Sequence, residues 1–499
     1  MTKRLNVGFI GCGRIADLHY LGYKERKDAK LYAVCDLDKD LAEARKKEWN
    51  TVKAYNDYKQ MLADPELDAV EIIVPHSNNL HERVVIDAAR AGKHIAVQKP
   101  MATSLKSADR MLQEAAKSGV VYKVTENYVF YPPILKAKEM IESGMIGEPI
   151  SVRIKFISGS SGGWKVPVEA WQWRVQELLE GRGTATFDHG HHLWSTAFFL
   201  LGNVERVNAW IDQTTFGIDC PAIVMWKYKD SSRYGVCDFV HSQNLHIPGD
   251  YYANDEWIEI NGSSGLIMID RCSAKIQQGP VMRFFNGKSM TAITEVESDW
   301  ATGFVGATNN FIRSIYGEDR VLLSGDEARE VLRFALAVQH SAKKRREVYL
   351  DELDSFLPSF YAATKRVGRA LENMKIPGLS LFNEDLSKYA PEARKLTEKI
   401  LGGFDASVAQ GWDITIGVHL TEDGGVKEER ISIIIRDGKL NLNFGELPEN
   451  ATLSVQVATG VWGAILLRKK RPEVAFLQGK IKVEGQIEEG LKLRELFKF

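Results

Sequence analysis

The sequence predicts an α/β protein in which a region built on a parallel sheet is followed by two α+β units. Three observations support this fold class. Residues 1–125 alternate short Val- and Ile-rich runs with helical patterns, residues 126–350 alternate apolar and polar positions, and residues 386–499 contain a strong hairpin signal. The length of 499 residues also favours about three domains.

The N-terminal region contains five apolar runs that read as buried parallel strands: LNVGFIG, LYAVCD, AVEIIVP, HIAVQ and VVYKVT. Because helical patterns separate them, they predict βαβ units with right-handed crossovers. The first run leads into G-x-G-x-x-A, formed by Gly11, Gly13 and Ala16. The first glycine allows a tight turn, the second lets the backbone approach a pyrophosphate, and the small third residue lets helix and strand pack closely.

A dinucleotide site is therefore expected at this turn, with Arg14 and Ile15 at the helix start that faces the phosphates. Asp36 ends the second strand, where an acid can bond a ribose 2′-hydroxyl. It is followed by Leu37 and Asp38 and by no arginine, so a 2′-phosphate would be repelled and NAD is expected rather than NADP. A glycine turn that holds no ligand is the alternative.

Residues 126–350 are expected to form a mostly antiparallel sheet with helices, open to solvent on one face. The strand-like segments are ISVRIKFIS, VERVNAWID, AIVMWKY, RYGVCDFVHS and EWIEING. In the first segment the alternation places one set of apolar residues together and two cations opposite them: Ile150, Val152, Ile154 and Phe156 against Arg153 and Lys155.

Residues 351–385 are amphipathic and end in KIPGLSLFNED, which predicts a helical linker. In the third unit, WDITIGVHL and GKIKVEGQ read as strands, RISIIIRDGKLNLNFG as a hairpin turning at Asp437–Gly438, and IEEGLKLRELF as a closing helix. The basic run at residues 468–471 is expected to be a solvated turn, with contact to an anionic surface as the alternative.

Composition excludes several classes of function. Lysine plus arginine (65) nearly equals aspartate plus glutamate (66), which gives no reason to expect a nucleic-acid or membrane-surface partner. No apolar run reaches the ~18 residues of a membrane span, and no signal-peptide pattern is expected. Five cysteines without C-x-x-C spacing argue against a disulfide framework, so a cytoplasmic location is expected.

The segment VPHSNNLHERVVIDAARAGKHIAVQKP resembles the Gfo/Idh/MocA oxidoreductases, whose pattern is P-N/H-x-x-x-x-H, then A-G-K-H, then E-K-P. The resemblance covers residues 5–345 and implies a Rossmann domain followed by an open-sheet substrate domain. It also implies a homo-oligomer, a dimer or tetramer. The cofactor contacts that it implies are Pro75, His76, His81, Gln98 and Lys99.

A second segment, WQWRVQELLEGRGTATFDHGHHLW, is similar to the W-R and D-x-G-x-H motifs of that family. The resemblance implies that Lys99 and His192 handle the proton and that Asp188 supports their geometry. Asp188 and His192 are i, i+4, so on a helix the carboxylate would share a face with the imidazole and orient it. The implied substrate contacts are Lys99, Asn127, Trp173, Arg174, Asp188 and His192.

Three histidines in four residues raise the alternative of a metal site. Histidines at i, i+2 and i+3 do not converge on one point of a helix and no H-E-x-x-H motif is present, so no metal is expected. His189 and His191 would then line the pocket or face solvent.

Two positions depart from the family pattern. Arg182 stands in the glycine-rich turn GRG, where a small residue is usual. Gln98 replaces the acid before Lys99. A carboxylate there would favour the charged ammonium, so its loss favours the neutral amine, although neighbouring strand residues point to opposite faces.

Residues 386–499 resemble a sterol carrier protein type-2-like domain through the pattern P-x-x-A-F-x-x-G-K-x-K-x-x-G, which begins at Pro472. The resemblance implies an apolar tunnel for a lipid-like or hydrophobic ligand. The chain is thus expected to be an NAD-dependent oxidoreductase acting on a polyhydroxylated sugar- or cyclitol-like substrate, such as a glycoside with a hydrophobic aglycone. The alternative is a non-catalytic NAD-binding sensor or lipid carrier, which retention of Lys99, Asp188 and His192 disfavours.

Overall fold

The computed structural model describes residues 3–353 apart from 167, 215 and 216, and residues 385–485 apart from 402–403, 405, 407–408, 410–411, 468, 471, 473–474 and 476–479. It contains two compact units. One unit comprises Met1–Trp164 and Glu177–Leu357, and the other comprises Lys165–Gln176 and Pro358–Phe499. The predicted linker lies almost entirely outside the described residues, as does the predicted closing helix.

The first sheet has six parallel strands, all in the larger unit, which confirms the Rossmann prediction. Its strand order is β3-β2-β1-β4-β5-β6. The strands are β1 (Leu5–Ile10), β2 (Ala29–Cys35), β3 (Lys53–Tyr55), β4 (Ala69–Ile72), β5 (His94–Gln98) and β6 (Tyr122–Thr125). The connecting helices are α1 (Ile15–Tyr20), α2 (Lys39–Glu48), α3 (Tyr58–Leu62), α4 (Leu80–Arg90) and α5 (Leu105–Ser118). Strands β1 and β4 are buried along their whole length because helices cover both faces, as their continuous apolar runs predict.

The second sheet has nine strands in the order β14-β13-β12-β11-β7-β10-β9-β8-β15. They are β7 (Pro149–Ser161), β8 (Val204–Ile211), β9 (Ala222–Tyr228), β10 (Tyr234–His246), β11 (Asn254–Gly262), β12 (Leu266–Ile269), β13 (Met282–Phe285), β14 (Met290–Ile293) and β15 (Val348–Tyr349). All neighbours run antiparallel except β7 and β10. On β7 the predicted inner face is buried at Val152, Ile154 and Phe156, whereas Ile150, one residue into the strand, is 46% exposed.

Four helices accompany this sheet in the larger unit: α6 (Pro132–Glu142), α8 (Gly190–Leu201), α9 (Thr302–Ile315) and α10 (Gly325–Lys344). Helix α7 (Val168–Leu179) begins in the segment Lys165–Gln176, which groups with the smaller unit. Helix α10 contacts both β8 of the second sheet and β6 of the first. Helix α9 returns to the first sheet as well, where the buried Nζ of Lys123 on β6 donates to Ala307 O (3.1 Å) and Asn310 Oδ1 (3.0 Å). The two sheets are thereby joined within one unit.

The smaller unit has a five-stranded sheet in the order β18-β17-β16-β19-β20. Its elements are β16 (Asp413–Thr421), β17 (Glu429–Arg436), β18 (Lys439–Phe444), β19 (Leu453–Ala458), β20 (Ile481–Gly485), α11 (Ala393–Leu401) and α12 (Thr459–Leu466). The predicted hairpin of β17 and β18 is confirmed: Asp437 and Gly438 both have positive φ, 49° and 72°, as a type I′ turn requires. One face of the sheet packs on its own apolar core, which includes Ile416, Val418 and Ile435.

Candidate active site

The glycine-rich turn between β1 and α1 has the shape that a dinucleotide needs. Gly11 has φ of 100°, and a Cβ there would lie 2.5 Å from the carbonyl oxygen of Ile73. Around Gly13, by contrast, no atom lies within 4 Å of where a Cβ would be. Ala16 is fully buried between helix and strand. The turn is therefore tight on its inner side and open on its outer side, which fits a pyrophosphate approaching the backbone.

Asp36 closes this turn from the end of β2. Its Oδ2 accepts from Cys12 N at 2.8 Å, and its Oδ1 accepts from Asp38 N at 3.0 Å. Arg14 is exposed, with its guanidinium 5.4 Å from the ring centre of Trp164, while Ile15 is half-buried. The carboxylate thus lies at the edge where a ribose would be expected. The backbone amides of Cys12 and Asp38 hold it beside the glycine-rich turn.

The next three predicted cofactor residues follow β4, two of them in its loop and the third, His81, in the first turn of α4. Pro75 is exposed, whereas His76 and His81 are buried. The ring of His81 lies between two carbonyls, with Nε2 2.7 Å from Val74 O and Nδ1 2.9 Å from Pro100 O. Burial lowers the pKa of His81 to about 4, so the ring is neutral. His81 therefore ties the loops after β4 and β5 together, and a direct contact with the cofactor stays a prediction.

Lys99 follows β5 and meets the second half of the unit. Its Nζ lies 2.9 Å from Asp188 Oδ1 and 3.1 Å from Asp188 O, and both side chains are mostly buried. The carboxyl ends of parallel strands are where such sheets present groups to ligands. The structure thus brings together two of the three predicted catalytic residues as an ion pair.

His192 is oriented by Glu126, and the expectation that Asp188 would orient it is wrong. The imidazole Nδ1 lies 2.6 Å from Glu126 Oε1, and that oxygen also accepts from Tyr128 N at 2.9 Å. The ring stacks on Tyr128 with centroids 4.6 Å apart. Glu126 is fully buried directly after β6.

The helical geometry before His192 explains why its partner is Glu126 and not Asp188. Residues Thr184–His189 form a π-helical turn, and α8 begins only at Gly190. The spacing of side chains in such a turn differs from that of an α-helix, so Asp188 does not sit one regular turn before His192. The carboxylate of Asp188 is directed to Lys99 instead.

Gln98 lies on the opposite side of the strand from the amine of Lys99. Its Nε2 is 2.9 Å from His19 Nε2 on α1, and its Oε1 accepts from the backbone N of Lys99 at 2.8 Å. His19 in turn has its Nδ1 2.6 Å from Glu71 Oε2. Among the described residues, the side chains of Gln98 and Lys99 do not contact each other, so no contact supports the expected effect of Gln98 on the charge of Lys99.

Arg182 is explained by a buried acid. Its Nε lies 2.5 Å from Glu177 Oε2, and Glu177 is also 3.3 Å from His76 Nε2. Although burial acts to raise the pKa of Glu177, His76 and Arg182 hold it below its ordinary value. The arginine in the glycine-rich turn thus neutralises a carboxylate that faces the cofactor loop.

The two remaining histidines of the cluster have separate partners. His189 Nε2 is 2.8 Å from Glu256 Oε1, and His191 Nδ1 is 2.5 Å from Phe187 O. Burial lowers the pKa of His191 to about 3. In the part of the chain that the structure describes, no three His, Cys, Asp or Glu side chains are arranged to hold a metal ion.

Three predicted substrate residues lie in different settings. Asn127 is buried beside Glu126, and its Nδ2 has no hydrogen-bond partner among the described residues. Trp173 and Arg174 belong to the segment Lys165–Gln176, which groups with the smaller unit. The guanidinium of Arg174 lies 4.5 Å from the Trp173 ring centre and donates to Ala170 O at 3.1 Å. Their contact with a substrate stays a prediction.

Sequence reasoning missed the buried acids Glu126, Glu177 and Glu256. A signal for Glu126 was available, because it directly follows the apolar run of β6, as Lys99 follows β5. For Glu177 and Glu256 no comparable signal exists, since each lies within an amphipathic or alternating pattern in which an acid reads as solvent-facing.

Comparison with known families assigns each part of the chain. Residues 5–126 match the "oxidoreductase family, NAD-binding Rossmann fold" model and residues 134–268 match the Gfo/Idh/MocA C-terminal domain. Residues 394–498 match the SCP-2 sterol transfer family. No helix among the described residues combines the length and apolar character required to cross a bilayer.

Individual relatives cover the oxidoreductase part. Myo-inositol 2-dehydrogenase of Thermotoga maritima is 27% identical over 368 residues, which span 70% of this chain and 99% of that protein. D-glucoside 3-dehydrogenase of Escherichia coli is 24% identical over 361 residues, 70% of this chain and 98% of that protein. The structure of levoglucosan dehydrogenase with NADH and levoglucosan has a TM-score of 0.57 at 23% identity, over 69% of this chain and 99% of that one. Together with the two-sheet architecture, these matches establish that the chain belongs to the Gfo/Idh/MocA family of NAD-binding oxidoreductases, with an SCP-2 domain at its C-terminal end.

Proposed function

We propose that the chain oxidises a hydroxyl group of a sugar- or cyclitol-like substrate with NAD as the hydride acceptor. The observation behind this proposal is that two pairs, the ion pair Lys99–Asp188 and the hydrogen-bonded pair Glu126–His192, each join the carboxyl edge of the first sheet to the π-turn and α8. The names of the relatives, which act on inositol and glucosides, support the substrate class.

His192 has the properties of a general base. Burial lowers its pKa, Glu126 opposes that effect, and the cation of Lys99 lowers the pKa further, so the imidazole is neutral near pH 7. Because Nδ1–H donates to Glu126, Nε2 is the acceptor for the hydroxyl proton. Glu126 then stabilises the imidazolium that forms.

Lys99 would hold the reacting oxygen. Asp188 fixes its ammonium at 2.9 Å, and a positioned cation stabilises the negative charge that develops on the oxygen as the proton leaves. NAD, when bound, supplies the acceptor for the hydride that leaves the substrate carbon. The hydroxyl proton passes to His192, two electrons leave with the hydride, and a carbonyl remains.

The test is NADH formation from NAD+ with myo-inositol, levoglucosan, methyl β-D-glucoside and phenyl β-D-glucoside. We expect turnover by the parent and a loss of about 10²–10⁴-fold in kcat for Lys99→Ala and His192→Ala. Lys136→Ala, which removes a half-buried lysine on α6 that pairs with Glu139, is the matched control and should keep full activity. A parent that binds NAD but oxidises none of these compounds would favour the sensor alternative. Replacing NAD+ by NADP+ in the same assay tests the cofactor preference that Asp36 predicts.

The pH dependence gives a second check on His192. Because its pKa is lowered, kcat/KM for oxidation should rise with pH through a value below the ordinary ~6.5 and be constant above neutrality. Glu126 raises this pKa, so Glu126→Gln should move the acid limb to still lower pH while decreasing kcat on the order of 10²-fold. A limb that moves to higher pH would contradict the assigned pair.

The SCP-2 unit is proposed to bind a lipid-like or hydrophobic group, which would suit a glycoside with a hydrophobic aglycone. The apolar core of that unit and its family support this proposal. Organic extraction of the purified protein followed by mass spectrometry tests it, and a higher kcat/KM for phenyl than for methyl β-D-glucoside tests the aglycone. If no lipid co-purifies and the two glucosides react equally, the proposal fails.

A homo-oligomer formed through the second sheet, and a cytoplasmic location, complete the proposal. The outer face of that sheet includes Trp210, 62% exposed, and all five cysteines are buried and free. Light scattering coupled to size exclusion measures the mass, and Trp210→Asp should shift it toward the monomer if this face is the interface.

A further inference from the structure

A second imidazole–carboxylate pair lies beside the first. His189 ends the π-turn, and its Nε2 is 2.8 Å from Oε1 of Glu256 on β11. Glu256 is fully buried and also accepts from Asn254 Nδ2 (2.9 Å) and Ser273 Oγ (3.0 Å). Burial acts to raise the pKa of Glu256, but His189 and Ser273 hold it below its ordinary value. A charged acid therefore backs the imidazole of His189.

This arrangement sets the tautomer of His189. Since Glu256 is an acceptor, Nε2 carries the hydrogen and Nδ1 is left as an acceptor. In the described part of the chain, no residue donates a hydrogen bond to that Nδ1. The side chain of His189 retains 19% exposure, whereas that of Glu256 has none. Nε2 is thus held by Glu256, and Nδ1 is available to accept a hydrogen bond from a ligand.

His189 and His192 form one polar wall. Their ring centroids are 5.2 Å apart, and both rings contact Tyr128, which stacks on His192 and meets His189 edge-on. Each ring donates to its own buried carboxylate, so each presents one nitrogen as an acceptor. Two acceptors on rings this close together can accept from two hydroxyl groups on neighbouring carbons of one ligand.

We propose that His189 is a second substrate-binding imidazole, which selects substrates bearing a hydroxyl next to the one that His192 deprotonates. The substrate class is then the vicinal diol of a cyclic polyol. This inference rests on the proposed function and narrows it, since an isolated secondary alcohol would fill only one of the two acceptors. Such an alcohol lacks the hydroxyl that the acceptor of His189 would bind, which disfavours its binding.

A purely structural role for His189 must be distinguished from a role in substrate binding. Its ring also packs on Phe156 with centroids 4.4 Å apart, so loss of the ring alone could loosen the site. His189→Phe keeps an aromatic ring there and removes both hydrogen bonds. His189→Gln keeps a donor for Glu256 and an acceptor in the side chain.

The experiment compares the parent and the two variants on the panel sugars and on their monodeoxy analogues that lack one hydroxyl next to the oxidised carbon. For the parent sugars, we expect His189→Phe to raise KM about tenfold, with kcat changed less, because one neutral hydrogen bond is lost. His189→Gln should recover most of that loss. For the analogue lacking the recognised hydroxyl, the parent and His189→Phe should have equal KM.

The possible results separate the two levels of the proposal. If the parent oxidises panel sugars but His189→Phe loses the same factor on sugar and every deoxy analogue, the ring is only structural and the inference is overturned. If His189→Phe does not fold, His189→Gln alone decides, since it should retain discrimination between sugar and analogue. If the parent oxidises no panel sugar, the proposed function fails and this inference fails with it.

Discussion

At the scale of single residues, Gln98 acquires a defined role. Its amide donates to His19 Nε2, so His19 must carry its hydrogen on Nδ1, from which it donates to Glu71. Tyr23 donates to the other oxygen of Glu71 at 2.5 Å. This chain of contacts is mostly buried and links β5, the strand just before Lys99, to α1, which follows the glycine-rich turn.

Changing Gln98 to glutamate should add a proton to this network. A carboxylate at that position accepts only, so His19 would have to donate from both ring nitrogens, between Glu71 and the new acid. The proton is gained on folding, so the added stability is present at low pH and lost as pH rises. Urea unfolding at pH 6 and pH 9 should therefore show a steeper decline for Gln98→Glu than for the parent.

The control for this prediction is Gln98→Met, which removes the hydrogen bonds without adding charge. Its stability should depend on pH as the parent's does. Nitrogen NMR of the imidazole should show both ring nitrogens of His19 protonated in Gln98→Glu alone. A parental pH slope for Gln98→Glu would mean that residue 98 does not bond His19.

At the scale of elements, the π-turn depends on one acid and one glycine. Asp219, in the segment before β9, accepts from Ala185 N at 2.6 Å, from Thr186 N at 3.0 Å and from the hydroxyl of Thr186. A Cβ on Gly183 would collide with the carboxylate of Asp219. Gly183 is thus required by close approach rather than by its φ, which is −77°. The acid satisfies amides at the start of the turn that places Asp188.

Gly183→Ala should therefore destabilise the larger unit and decrease activity together. We expect a loss of roughly 2–4 kcal/mol in the free energy of unfolding, because buried amides lose a charged acceptor. The activity falls because Asp188 lies on the displaced turn. Asp219→Ala should cost a similar amount, and the double variant should cost clearly less than the sum of the two. Strict additivity in urea unfolding would show that the two residues do not interact.

The elements also show how far the sequence could be used. The position of Lys99 follows from the sequence because β5 ends directly before it and parallel strands present groups at their carboxyl ends, and the hairpin at Asp437–Gly438 follows from local turn chemistry. The partner of His192 could not be read from spacing, because the π-turn changes which side chains share a face. Pairings such as Glu126 with His192 depend on how the two sheets meet, and no local pattern encodes that distance.

At the scale of the whole molecule, the two units have separate cores. The larger unit has its own apolar clusters, and the smaller one has a core around Ile416. Among the described residues, the cluster of the smaller unit has no member in common with the clusters of the larger one. Each unit therefore has its own source of stability from apolar burial.

Calorimetry should accordingly resolve two unfolding transitions, only one of which responds to NAD+. At a concentration of 100 times Kd, the cofactor should stabilise that transition by about 2.7 kcal/mol. Ile416→Ala should weaken only the other transition, by roughly 2–5 kcal/mol, and Val207→Ala should weaken only the NAD-responsive one. A single transition that both NAD+ and Ile416→Ala displace would contradict this expectation.

The pairs Lys99–Asp188 and Glu126–His192 have a consequence for the exchange of domains between relatives. Lys99 and Glu126 come from the first 126 residues, whereas their partners Asp188 and His192 come from the later region. A chimaera that joins residues 1–126 of this chain to the substrate region of a relative inherits only one member of each pair from this chain. Such an exchange can succeed only where the incoming region supplies an acid for the lysine and an imidazole for the glutamate. A change at Lys99 or Glu126 therefore has to be matched by a change at its partner, Asp188 or His192.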